Sequence, residues 1–96
     1  MIVTTTDAIE GRPIKKHIGI VSGEEAVVLK FKWGMEKYIS EVQDTLLVAR
    51  HDALKVLASR AKALRADAVV GVAFDWEFRD AGFLIVMVVG TAVVLA

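Results

Sequence analysis

The sequence predicts a two-layer α+β fold in which one long helix lies on an antiparallel sheet, in the order ββαββ. Three observations carry this. Met35, Ile39, Val42, Leu46, Ala49, Ala53, Leu57 and Leu64 recur at intervals of three, four or their sum, which makes one apolar stripe on a helix of about 30 residues. A period of two runs almost without error from Asp67 to Arg79, as in a half-buried strand. Asp80-Ala81-Gly82 then separates that strand from the apolar run Phe83–Leu95, and a short loop ending in glycine is hairpin chemistry. The whole chain, residues 1–96, is read as a single domain.

The elements follow in order. Ile2 to Thr6 is a short β-branched run and reads as a first strand. Asp7 to Pro13 carries the turn formers Asp, Gly and Pro. Ile14 to Ser22 reads as a second strand, interrupted at Gly23. The alternation then resumes, with Val27, Leu29, Phe31 and Trp33 on one face and Ala26, Val28, Lys30 and Lys32 on the other. This is either a continuation past a bulge or a separate short strand after a turn at Gly23. The helix is expected over 35–65, its outer face drifting from acidic (Glu36, Glu41, Asp44) to basic (Arg60, Lys62, Arg65), which suits the helix dipole. In the next strand Ala68, Val70, Val72, Phe74, Trp76 and Phe78 should share one face, an aromatic stripe packed under the helix. Asp67, Val69, Gly71, Ala73, Asp75, Glu77 and Arg79 should share the other. The final strand is apolar on both faces, and such a strand is buried on both.

These lengths constrain assembly. A helix of about 30 residues is about 45 Å long, and a strand of about 13 residues is about 44 Å long, so the helix can lie along the hairpin. A helix about 10 Å wide covers roughly two strands, which leaves apolar sheet surface bare. Large bare patches are rare on monomers. The surplus is either folded over by more sheet or covered by further copies of the chain, and a homo-oligomer is the favoured reading. Phe83, Ile85, Val88 and Val89 are the expected interface residues.

Composition excludes several classes of function. Lysine plus arginine and aspartate plus glutamate both number 12. No net charge therefore favours a nucleic-acid or anionic-membrane partner. With no cysteine there is no disulfide, thiolate zinc site or cysteine nucleophile. The uncharged run from Ala81 to Ala96 is shorter than the roughly 20 residues of a membrane-spanning helix, and its valine content reads as strand. MIVTTTDAIEGRP lacks the basic-then-apolar pattern of a secretory signal, so the cytoplasm is expected. The absence of asparagine and the single glutamine, Gln43, suit a heat-adapted source.

Candidate chemistry is sparse. His17 and His51 are the two histidines, without the spacing of a metal motif, and read as surface or satisfied core residues. Asp75 and Glu77 share a strand face, and Glu24 could join them if the strands pair suitably. Such a cluster could hold a hard cation, although carboxylates on a half-exposed strand are more often solubilising charge. No cofactor other than a metal ion is suggested. Gly19-Ile20-Val21-Ser22-Gly23 is not a nucleophile elbow, since the serine stands one place late. Ser22 and His17 point to opposite faces of a strand, so the chain reads as non-enzymatic. Lys30-Phe31-Lys32-Trp33 interleaves bases with aromatics, as single-strand binders do. Its alternation, however, makes Phe31 and Trp33 core or interface.

Three stretches carry a family resemblance. They are Ile2-Val3-Thr4-Thr5-Thr6 with Glu10-Gly11, Ile14 and His17 to Glu24; Ala61 to Val72 (AKALRADAVVGV); and Gly90-Thr91-Ala92-Val93-Val94. Together they resemble the YbjQ family of small prokaryotic proteins, catalogued as "putative heavy-metal-binding". The second stretch looks like the family's A-x-A-L-G-A-D-A-V-V-G-V block. The resemblance implies a dodecin-like subunit that closes into a ring of five. Glu25 to Met35 departs from the family pattern and is shorter, so a family ligand site drawing on that segment would be altered here.

Overall fold

The computed structural model describes residues 1–29, 34–79 and 82–96. Its elements are β1 (Ile2–Val3), β2 (Ile14–Val28), α1 (Met35–Ala63), β3 (Ala68–Arg79) and β4 (Phe83–Leu95), in the expected ββαββ order. They form one sheet in the order β1-β3-β4-β2 with α1 on one face. The apolar strand β4 is central and pairs antiparallel with β2 on one side and β3 on the other. The sheet is mixed rather than wholly antiparallel, because β1 runs parallel to β3, pairing Ile2 with Ala68 and Val3 with Val69. The chain from β1 has to reach β2 at the opposite edge, so these consecutive strands are not partners.

The β3–β4 hairpin forms as expected, and Gly82 has the left-handed φ of 73° that its loop requires. Asp80 and Ala81 of that loop lie outside the described residues, as does the Lys30–Trp33 motif.

Gly23 proves to be neither a bulge nor a turn. β2 is one strand of 15 residues through it, and its irregularities fall at Ile14/Lys16 and His17/Gly19. The glycine is required by α1. A Cβ at residue 23 would collide with the Ala53 carbonyl oxygen and lie 2.7 Å from the Leu57 nitrogen. The facing helix residues Ala49, Ala53, Leu57 and Ala61 are fully buried. The three alanines, with Gly23 opposite, let helix and strand backbones approach closely.

Close approach at Gly23 draws the helix sideways. α1 packs mainly on β2, less on β4 and least on β3. Trp76 and Phe78 are therefore not under the helix but 49% and 61% exposed, and Phe74 is half-buried.

β3 also breaks its own alternation. An extra residue between Val70 and Ala73 shifts the register against β4, and Gly71 takes a left-handed φ of 62° there. One inserted residue reverses side-chain parity. Val69 therefore joins Val72 and Phe74 on the helix side, while Ala68 and Val70 pack with Val93 and Leu95 on the other. The N-terminal segment straps this bulge: Thr4 N–H donates to Val69 O (3.0 Å), Gly71 N–H to Thr6 O (2.8 Å) and Val72 N–H to Thr4 O (3.1 Å). The hydroxyls of Thr4 and Thr6 lie 2.9 Å apart, and that of Thr6 donates to Ala8 O, which holds the strap's shape.

The helix ends in a Schellman motif. Ala66 N–H reaches Ala61 O at 3.1 Å, and Arg65 N–H reaches Lys62 O at 2.9 Å. The left-handed residue is Arg65, at φ 61°, in a place that glycine usually occupies. The molecule measures 53 × 22 × 15 Å with a radius of gyration of 16.0 Å, against about 12–13 Å for a compact chain of this length.

Candidate functional site

Because α1 sits over β2 and β4, a groove remains between the helix and β3. It consists of two adjoining hollows. One, of about 220 Å³, lies among Val3, Thr4, Thr5, Leu54, Val72 and Phe74. The other, of about 310 Å³, lies among Leu47, Arg50, His51, Leu54 and Phe74. Leu54 and Phe74 border both, so the hollows share an apolar floor. The strap residues Thr4 and Thr5 close one end, and the cationic Arg50 with His51 borders the other. The Arg50 guanidinium stands 5.8 Å from the centroid of the Phe74 ring, within cation–π range. Arg50 makes no ion pair with a described carboxylate; the pairs of Arg60 and Arg79 involve Glu24 and Glu77.

On the helix's other flank a hollow of about 270 Å³ is bordered by Val27, Asp44, Thr45, Val48, Ala49 and Asp52. Its charge is acidic, opposite to that of the β3 groove.

The free edge of β2 carries a polar cluster. The Ser22 hydroxyl donates to Glu24 at 2.8 Å. Arg60 donates from one nitrogen to Glu24 Oε2 at 2.7 Å and to the Ser22 carbonyl at 3.0 Å. The Ser22 hydrogen bond, followed by that of Arg60, holds the Glu24 carboxyl below its ordinary range. Arg60 thereby occupies an edge carbonyl that would otherwise be open to strand pairing.

Glu24, Asp75 and Glu77 lie on the sheet face away from α1, but β4 runs between the first and the other two. Glu24 and Asp75 both pair with Met87, which sets their backbones about 10 Å apart at two strand spacings. Glu24 is engaged by Arg60, and Glu77 is 3.2 Å from Arg79. Among the described residues no three His, Asp or Glu side chains gather as a metal site would require. His17 is exposed on β2, and His51 is exposed at the groove.

Of the expected interface residues, Phe83 and Ile85 are half-buried and Val89 is 46% exposed; all three lie on the face away from α1. Val88 does not belong with them, because alternation turns it under the helix, where it is fully buried. Ile20, 80% exposed, and Val28 extend the bare apolar face onto β2. No described helix is long and apolar enough to cross a membrane.

The groove and the Arg50–Phe74 pair were not legible in the sequence, since both depend on where the helix settles across the sheet. The one available signal was the recurrence of alanine at 49, 53 and 61 opposite a strand glycine, the mark of a close helix–strand contact.

Fold and site together define a small α+β domain with one helix on a four-stranded sheet and much apolar surface left bare. The YbjQ model described as "Putative heavy-metal-binding" matches residues 1–96, and the chain belongs to that family. It is 40% identical to a UPF0145 protein of Halalkalibacterium halodurans, over 99% of this chain and 96% of that one. It is 39% identical to a UPF0145 protein of Clostridium botulinum, over 97% of each. A crystal structure of a protein of unknown function from Pediococcus pentosaceus, of the DUF74 family, shares the fold. Its TM-score is 0.72 at 23% identity, over 100% of this chain and 98% of that one.

Proposed function

We propose that this protein is a cytoplasmic, non-enzymatic subunit of a closed homo-oligomer, a ring of five, that binds small ligands or ions where subunits meet. One observation carries the assembly: the bare apolar surface. Ile20, Val28 and Val89 on one face, and Trp76 and Phe78 on the other, are exposed together on an elongated chain. Monomers rarely expose apolar surface on this scale. Phe83, Ile85 and Val89 on the outer face of β4 are the contact residues of this reading. The number five rests on the family resemblance.

A carboxylate-based metal module is the second reading, favoured by the family description. Asp75 and Glu77 share the outer face of β3, and a cation there would draw further carboxylates from a neighbouring subunit. Native mass spectrometry tests both readings. A species of five chains is expected, and bound cations that disappear in the Asp75→Asn/Glu77→Gln double variant would establish the second reading. A single-chain species would refute the ring.

A further inference from the structure

We propose that the groove between α1 and β3 binds a small soluble amphipathic monocarboxylate, with its apolar body along Leu54, Val72 and Phe74 and its carboxylate on Arg50. The inference goes beyond the assembly reading, because it calls on no residue of a second copy.

The volume fits. The two adjoining hollows, of about 220 and 310 Å³, together fall in the roughly 300–1,000 Å³ range of small-molecule sites. The chemistry of the lining fits as well. The floor, of Val3, Leu54, Val72 and Phe74, is aliphatic and aromatic. The charge comes from Arg50, at the end that His51 also borders.

Arg50 is prepared for this role. Its guanidinium carbon stands 5.8 Å from the Phe74 ring centroid, within cation–π range, and a guanidinium can grasp a carboxylate with two parallel N–H bonds. No described carboxylate neutralises it. The acidic residues nearest on the helix, Asp44 and Asp52, border the hollow on the opposite flank. An apolar trough with an arginine at its end that no described carboxylate pairs selects a ligand with one anionic head and a short apolar tail. A fully apolar molecule would forgo the charge, and an amine would be repelled.

Calorimetric titration of the full-length protein with octanoate, octylamine and octanol tests this. Octanoate should bind saturably at one molecule per chain, and octylamine at least tenfold more weakly. Arg50→Gln should weaken octanoate at least fivefold while leaving octanol unchanged. Methyl NMR should place the octanoate-induced shifts at Leu54 and Val72, which keeps the test valid should the variant be unstable. Equal binding of octanoate and octylamine, an unaltered octanoate affinity in Arg50→Gln, or shifts centred on the outer face of β4 would each overturn the assignment. So would co-sedimentation with anionic phospholipid vesicles in the absence of octanoate binding, which would give the groove to a membrane surface.

Discussion

Replacing Gly23 by alanine should be among the most damaging single-methyl additions in this protein. The added Cβ would collide with the Ala53 carbonyl oxygen and sit 2.7 Å from the Leu57 nitrogen and 3.1 Å from the Ala53 carbonyl carbon. All three are helix backbone atoms, so no rotamer change relieves the clash. The helix has to lift from β2 by on the order of 1 Å to restore ordinary contact near 3.5 Å. A gap of about 0.5–1 Å forfeits a quarter to a half of each dispersion contact it opens. The contacts concerned join Ala49, Ala53, Leu57 and Ala61 to Val21 and Val88. The loss should lie at the upper end of the overpacking range, about 3 kcal/mol, partly offset by about 0.5 kcal/mol because alanine suits a strand better than glycine. Such a loss is a large share of the roughly 5–15 kcal/mol that holds a domain together. At fixed protein concentration, urea denaturation should show a midpoint drop corresponding to about 2–3 kcal/mol. A loss below about 0.5 kcal/mol would refute the claim that close approach at Gly23 positions α1.

Arg65→Gly should stabilise the protein by about 0.5–1 kcal/mol, since relief of a non-glycine left-handed residue, about 1–3 kcal/mol, exceeds the added unfolded-state entropy of about 0.4–1 kcal/mol. Thermal melts at matched concentration would show an unchanged or lower midpoint if the Schellman geometry were wrong. Glu24 has a depressed folded pKa, so its contribution to stability is full above the unfolded value of about 4.5 and is lost as pH falls through the folded value. Glu24→Gln should flatten that part of the stability–pH curve, and identical slopes would count against the Ser22–Glu24–Arg60 cluster. Val88→Asp buries an unpaired charge beneath α1 and should abolish folding. Val89→Asp should keep the circular dichroism of the fold while lowering the oligomer mass, and equal outcomes for the two would contradict the face assignment.

Local pattern carried the order and type of the elements, because the helix stripe and the strand alternation are consequences of backbone geometry. The hairpin was legible for the same reason, its turn chemistry lying in consecutive residues. What escaped depends on contacts between distant segments. The parity switch at Gly71 is stabilised by Thr4 and Thr6 from the far end of the chain, and it misled the reading of Ala68, Val69 and Val70. Gly23 looked like punctuation within its strand; only the facing Ala53 and Leu57 show it to be a point of contact. That contact draws α1 toward β2, exposes Trp76 and Phe78, and opens the groove. For the candidate carboxylates, the shared face of Glu24, Asp75 and Glu77 was readable in outline, whereas the strand running between them was a matter of sheet order.

If copies of the same chain cover its bare apolar surface, the protein cannot persist as a monomer. Sedimentation equilibrium of the wild-type protein at micromolar concentration decides this. A single closed species at five times the 10.5 kDa chain mass is the predicted result. A 10.5 kDa monomer under those conditions would contradict it.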